Sequence, residues 1–128
     1  MEEKVKYWIE LSDYDFETAE AMLTSGRYLY VGFMCHQTIE KIMKAYFTQI
    51  KNETPPFTHS LSYLAKKADL LILLPEELKE TIDILEPLNI ETRYPTYKER
   101  LIKSLTKERC VEIIMKTNQL RKWIKKKL

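Results

Sequence analysis

The stretch "YLYVGFMCHQTIEKIMKAYFTQI", residues 28–50, decides the fold class of this chain. Its apolar residues recur every three or four positions, the spacing that places them on one face of an α-helix. That face carries Val31, Cys35, Ile39, Ile42 and Tyr46. The stretch is followed by "KNETPPF", where two consecutive prolines are typical of a turn. We therefore predict a long amphipathic helix from about Tyr28 to Ile50.

The segment before this helix has the same periodicity. One face carries Val5, Trp8, Ser12, Phe16, Ala19 and Leu23. The segment ends in "TSGRY", where Gly26 suits a C-terminal cap because glycine adopts the left-handed backbone conformation without strain. The pattern predicts a preceding helix, joined to the first by a short turn.

The chain after the double proline predicts two further helices. One begins near "THSLSYLAKKADLL", with Thr58 or Ser60 as its N-terminal cap. The next begins at Pro75, with two glutamates in its first turn, and Pro87 weakens its end. Its apolar face carries Leu78, Ile82 and Leu85.

The last part of the chain predicts a loop and then a final helix. The loop is "NIETRYPTYKER", residues 89–100. The helix runs from about 106 to 126, with a lysine-rich outer face. The residues predicted to point inward are Val111, Ile114, Met115 and Leu120.

Together these segments predict the architecture. Glycine occurs only twice, and no segment sustains the alternation typical of a β-strand. Amphipathic helices with short connections pack against one another as an antiparallel bundle. We predict an all-α fold, an up-and-down antiparallel bundle of four to five helices, in a single domain covering residues 1–128.

Composition limits the class of protein. Hydrophobic residues make up 45% of the chain and charged residues 31%, as is typical of a globular protein. No apolar run is as long as a membrane span, and the acidic start lacks an apolar signal core, so we expect a cytoplasmic protein without membrane contact. Cys35 and Cys110 lie in separate helical patterns, and we interpret both as reduced packing residues.

Charge is distributed unevenly along the chain. Residues 1–92 contain nine Lys or Arg and 16 Asp or Glu, whereas residues 93–128 contain 12 and three. The acidic and basic parts attract each other across a bundle or a dimer, or else the basic part offers a surface for phosphate-bearing partners. We interpret the tail "LRKWIKKKL" as a helix end whose cations lie at the favoured C-terminal pole.

Sequence motifs exclude several kinds of site. The chain has no glycine-rich phosphate loop, no His-Glu-x-x-His and no Cys-x-x-Cys, so we predict neither a metal site nor a cofactor. His36 lies beside a polar helical face that carries Gln37, Lys41, Lys44 and Thr48. We expect this face to be solvated and to form the pairs Gln37–Lys41 and Glu40–Lys44. His59 is interpreted as a helix-entry residue.

Asp15 lies at the edge of the apolar stripe of the first helix. A carboxylate at such a position needs a partner, because burying it unpaired is expensive. We name Arg93 as a candidate for that partner.

Three segments, in this order, resemble the HEPN family, whose name denotes a nucleotide-binding domain of higher eukaryotes and prokaryotes. They are "DYDFETAEAMLTSGRYLYVGFMCHQTIEKIMKAYF", "PPFTHSLSYLAKKA" and "ETRYP". The matching residues are Asp15, Ala19, Gly26, Tyr28, Gln37, Glu40, Lys41, Lys44, Ala45, Thr58, His59, Leu61 and the Arg93-Tyr94-Pro95 step. The resemblance covers almost the whole chain and rests on the combination rather than on any single motif.

The resemblance implies a helical bundle that forms a homodimer. It also implies a minimal nucleotidyltransferase as partner, in a toxin–antitoxin-like pair. Many members of the family are metal-independent ribonucleases, with an arginine followed after four to six residues by a histidine. Arg93 matches the arginine, but the positions for the histidine hold Lys98, Glu99 and Arg100. A lysine with an ordinary pKa of about 10.4 is a poor proton acceptor at neutral pH.

We therefore expect a binding module for a nucleotide or an RNA phosphate, with or without a nucleotidyltransferase partner. The alternatives are a metal-independent ribonuclease toxin and an oligomerisation scaffold without a ligand. The candidate ligand-binding residues are Arg93, Tyr94, Tyr97, Lys98, Arg100, Asp15, Gln37, Lys41 and Lys44.

Overall fold

The computed structural model describes residues 2–128 and, of Thr92, the backbone only. Within this range the chain forms helices and no strand, as predicted. The helices are α1 (Glu2–Thr24), α2 (Tyr28–Lys51), α3 (Leu61–Lys67), α4 (Glu76–Leu85), α5 (Pro95–Ser104) and α6 (Lys107–Lys125). Short 3₁₀ turns lie at Leu71–Leu73, Glu86–Leu88 and Ile90–Thr92. The all-α bundle is thereby confirmed, with six α-helices in the described range instead of the predicted four to five, because the segment from Pro95 is helical as well.

Helix α2 lies at the centre of the bundle and packs against α1, α3, α5 and α6. Its predicted apolar face is confirmed, since Val31, Cys35, Ile39 and Ile42 are fully buried. The expectation that the opposite face is solvated is wrong, because Lys44 and Thr48 are buried as well. Helix α1 covers that side, and Ser12 Oγ of α1 donates a hydrogen bond of 2.7 Å to the carbonyl oxygen of Thr38.

Two glycines have distinct roles around α2. Gly26 adopts a positive φ of 76° just beyond the end of α1, which confirms its predicted role at the helix end. Gly32 lies inside α2, where a β-carbon would come within 3.2 Å of Leu88 Cδ1 and 3.4 Å of Leu105 Cδ1. The missing side chain lets the chain around Leu88 and the end of α5 pack closely against α2.

The predicted loop at residues 89–100 is partly wrong. Only its first half is irregular, because α5 begins at Pro95, and a proline is well suited to the first helical position. Other boundaries agree with the predictions: Ser60 Oγ caps α3 by accepting a hydrogen bond from the Tyr63 amide, and α4 ends at Leu85, two residues before Pro87.

The inward face of α6 also differs from the prediction. Val111 and Met115 are 48% and 55% exposed, whereas Leu120 is buried as predicted and Ile114 is partly buried. The buried residues are Cys110, Ile113, Thr117, Leu120 and Ile124. They follow a regular spacing of three and four residues, which gives a single stripe facing α2.

Both cysteines are buried and unpaired in disulfides, as predicted. Burial raises the pKa of Cys35 to about 12 and that of Cys110 to about 11. Both thiols therefore stay protonated at neutral pH and act as small packing groups.

Candidate phosphate-binding surface and buried polar cluster

Arg93 lies in the extended residue pair between the 3₁₀ turn Ile90–Thr92 and α5. Its side chain is exposed, and the guanidinium carbon lies 4.9 Å from the ring centroid of Tyr97, in the first turn of α5. Such a cation–π contact holds the planar guanidinium against the ring while its N–H groups stay in water. Tyr94, beside it, is 84% exposed.

Two further cations lie on α5, close to Arg93 in the chain. Lys98 is half-buried and Arg100 is exposed. Between the described residues, no carboxylate comes within 4.0 Å of Arg93, Lys98 or Arg100. We call the group Arg93, Tyr94, Tyr97, Lys98 and Arg100 the Arg93 surface. Its three cations form no ion pair with a carboxylate of the described residues, and it also carries an exposed aromatic ring, that of Tyr94.

Asp15 does not pair with Arg93, so the candidate partner named from the sequence is wrong. Its carboxylate Oδ2 instead accepts a hydrogen bond from Lys41 Nζ of α2. The Asp15 side chain is buried and that of Lys41 is mostly buried, because the pair lies between α1 and α2. The buried carboxylate is satisfied by the neighbouring helix, which leaves Arg93 free to point to solvent.

A second buried carboxylate, Glu40, contacts a lysine of its own helix and a histidine of the segment before α3. Its Oε2 accepts a hydrogen bond of 3.1 Å from Lys44 Nζ, and its Oε1 lies 2.9 Å from His59 Nδ1. Lys44 Nζ also lies 5.4 Å from the centroid of the Trp8 ring on α1. The predicted Glu40–Lys44 pair is confirmed, but it lies inside the protein rather than on a solvated face.

His36 is fully buried, although the sequence placed it beside a solvated face. Its Nδ1 lies 3.3 Å from Gln37 Oε1 and 4.0 Å from Glu40 Oε1, while its Nε2 is buried without a hydrogen-bond partner. Burial lowers the pKa of His36, with the charge of Glu40 as the largest opposing influence. The imidazole is therefore neutral at neutral pH.

Sequence reasoning missed Glu86. Its carboxylate accepts hydrogen bonds from the backbone amides of Leu61 and Ser62, at 2.8 and 2.9 Å, and from Ser62 Oγ at 2.9 Å. It thus satisfies the first amides of α3 from a distant part of the chain. His59 precedes Ser60, the cap of α3, which confirms it as a helix-entry residue.

The predicted site residues thus fall into two sets. The Arg93 surface is largely exposed, whereas Asp15, Gln37, Lys41 and Lys44 make contacts within and between α1 and α2. No hydrogen bond or ion pair between the described residues joins the two sets. The predicted pair Gln37–Lys41 is not formed between these described residues. Gln37 Oε1 contacts His36 instead, and Lys41 bonds to Asp15.

The acidic and basic parts of the chain meet at Asp13. Its carboxylate accepts a hydrogen bond of 2.8 Å from Arg121 and bonds of 2.9 Å from Lys125, both on α6. Two cations of the tail, Arg121 and Lys125, are therefore bonded to α1.

Two other kinds of feature are absent from the part of the chain that the structure describes. In residues 2–128, His, Cys, Asp and Glu side chains form no group of three or more with the spacing of a metal site. None of the helices in that range combines the length and the apolar character needed to cross a bilayer.

The comparisons with known proteins bear on the fold and on the family. The crystal structure of TT1696 from Thermus thermophilus matches with a TM-score of 0.83 over 98% of each chain, at 21% sequence identity, a likeness that establishes the fold. No curated protein matches the chain significantly. The family model described as "HEPN domain" matches residues 5–128. Since this match covers nearly the whole chain, the protein belongs to the HEPN domain family.

Proposed function

We propose that this HEPN protein binds a phosphate-bearing ligand, a nucleotide or RNA, at the Arg93 surface, without cleaving it. The observation that carries the proposal is the state of Arg93: an exposed guanidinium, stacked on Tyr97 and without a carboxylate partner among the described residues. An arginine that only closed a loop would be expected to find an acceptor within the fold. Arg93 instead presents its N–H groups to solvent.

The chemistry of these side chains suits phosphate. A guanidinium offers two parallel N–H donors that match two oxygens of a phosphate group. Lys98 and Arg100 add positive charge, and the N-terminal end of α5, which begins at Pro95, favours anions as well. The exposed ring of Tyr94 offers a face on which a base can stack.

The histidines support binding rather than cleavage. Both histidines of the chain, His36 and His59, have their Nδ1 atoms within 4.0 Å of Glu40 Oε1. The positions at which the family's ribonucleases carry a histidine hold Lys98, Glu99 and Arg100. Proton transfer at neutral pH therefore lacks its usual group at this surface.

The family resemblance adds two parts to the proposal. One is a homodimer, and the other is a nucleotidyltransferase subunit as partner in a toxin–antitoxin-like pair. An uncompensated basic surface supports an acidic partner as well as a phosphate ligand.

Arg93→Ala is expected to weaken binding of a fluorescently labelled RNA oligonucleotide at least tenfold, measured by fluorescence anisotropy. A hydrogen bond to a charged group contributes about 1.5–3 kcal/mol, and about 1.4 kcal/mol corresponds to a factor of ten. The slope of log K against the logarithm of the salt concentration is also expected to become shallower by about 1 in Arg93→Ala, because one phosphate contact is lost. The affinity of Arg93→Lys should lie between that of the wild type and that of Arg93→Ala, because lysine keeps the charge but loses the bidentate geometry.

Lys66→Ala is the matched control, since Lys66 is an exposed cation on α3 that is not part of the Arg93 surface. Equal losses in both variants would contradict a specific site, and absence of binding by the wild type would favour the scaffold alternative. Incubation of RNA with the protein in EDTA tests the ribonuclease alternative. Cleavage by the wild type that is lost in Arg93→Ala would establish it.

A further inference from the structure

Both histidines of the chain converge on a single carboxylate oxygen. His59 Nδ1 lies 2.9 Å from Glu40 Oε1, and His36 Nδ1 lies 4.0 Å from the same atom. The two rings reach it from different elements: His36 is on α2, and His59 is at the end of the segment that joins α2 to α3. We call residues 52–60 the His59 loop. It also carries Phe57, whose side chain is fully exposed.

The second proton of His36 has no acceptor. Gln37 Oε1 can only accept a hydrogen bond, so His36 Nδ1 carries the hydrogen of the neutral ring. Protonation therefore places a hydrogen on Nε2, which is buried and without a partner. A buried cation with an unsatisfied donor is costly, and this is why burial lowers the pKa of His36.

The charges around His36 come from three elements. On α2 they are Glu40 and Lys44, whose ammonium is bonded to Glu40 Oε2. The His59 loop contributes His59, and the turn after α4 contributes Glu86, whose carboxylate is engaged with the first amides of α3. Both nearby carboxylates therefore already have partners when His36 is neutral.

We propose that His36, His59 and Glu40 form an acid-sensitive latch, which fastens the His59 loop to α2 at neutral pH and releases it in mild acid. At neutral pH, Glu40 Oε1 holds His59. When His36 takes up a proton, Glu40 is the nearest carboxylate. Rotation of the Glu40 side chain toward the His36 ring then removes the acceptor of His59. Opening of the loop also admits water to the His36 ring.

The balance of energies favours release. The His59 side chain is 42% exposed and that of Glu40 is 4% exposed. On release, water therefore replaces the contact of the histidine, while the buried carboxylate keeps Lys44 and faces His36. The His36 imidazolium has no such replacement while it stays buried. Because the open state accepts the proton with an ordinary histidine pKa of about 6.5 and the closed state below it, closure is fully stable above about pH 6.5 and weakens as the pH falls.

The test is amide hydrogen exchange followed by NMR, corrected for the intrinsic pH dependence of exchange. The reporters are the amides of Ser60, Leu61 and Ser62, which are hydrogen-bonded to Thr58 Oγ1 or to Glu86. The opening constant at these amides should rise about tenfold between about pH 7.5 and about pH 5.5, as expected for uptake of one proton on opening by a histidine whose open-state pKa is about 6.5. Amides of α6 should keep their protection over the same range.

Two variants show which histidine is responsible for the pH dependence of opening and which one holds the loop closed. In His36→Gln the opening constant of the reporter amides should be independent of pH, because the buried proton acceptor is gone. In His59→Gln opening should be frequent already at neutral pH. The proposal is overturned if wild-type opening stays constant or decreases in acid, or if α6 loses protection in parallel. If His36→Gln does not fold, the wild-type titration and His59→Gln still decide the matter.

Discussion

Glu40→Ala is expected to lower the free energy of unfolding by about 3–5 kcal/mol, the range measured when one partner of a buried ion pair is removed. Glu40 and Lys44 are both buried, and their side chains meet at 3.1 Å. Without the carboxylate, the one remaining contact of the Lys44 ammonium with a described residue is that with the Trp8 ring. A loss of this size is a large fraction of the total stability of a domain. Urea denaturation at neutral pH, followed by circular dichroism, measures it.

A matched control is present on α1. Lys6 and Glu10 form an ion pair at the same spacing of four residues, but their side chains are 78% and 64% exposed. Glu10→Ala should therefore leave the denaturation midpoint nearly unchanged, because exposed pairs contribute little. The double variant Glu40→Leu/Lys44→Met should recover most of the stability lost in Glu40→Ala, since it removes both buried charges. Equal midpoints for Glu10→Ala and Glu40→Ala would show that the buried charge has little cost.

The contrast between these two pairs shows what the sequence can predict. The spacing of Glu40 and Lys44 predicts their pairing, and the pairing is present. The same spacing predicts the pair Lys6–Glu10 equally well, so it carries no information on burial. Burial depends on α1 covering the polar side of α2, where Ser12 and Asp15 provide the matching polar groups. That match is a property of two helices together and does not follow from the periodicity of either helix.

For the candidate site, the sequence points to the arginine but not to its surroundings. The resemblance of the Arg93-Tyr94-Pro95 step to the family identified Arg93, and the structure places this residue on the surface. The stacking of Arg93 on Tyr97 follows from α5 beginning at Pro95, a segment that the sequence pattern predicted as loop. The convergence of His36 and His59 on Glu40 depends on the path of the chain after α2. No local pattern carries that information.

The orientation of α6 is the clearest case in which periodicity alone was insufficient. Apolar residues occur on two sides of this helix: Ile113 and Leu120 point inward, while Val111 and Met115 point outward. The inward stripe includes the polar Thr117, which interrupts a hydropathy pattern, whereas the outward residues Val111 and Met115 are apolar. The prediction followed hydropathy and therefore rotated the helix toward the exposed side.

Ile113→Ala is accordingly expected to destabilise the protein by about 2–5 kcal/mol, because it removes a buried side chain and leaves a cavity between α6 and the core. Met115→Ala, two residues along the same helix, should change the free energy of unfolding by no more than about 0.5 kcal/mol. Alanine has a higher helix propensity than either residue, so the helix itself is not weakened in either variant. Urea denaturation of the two variants side by side measures the difference. A larger loss in Met115→Ala than in Ile113→Ala would mean that α6 presents its outward stripe to a partner surface, such as a second copy of this chain.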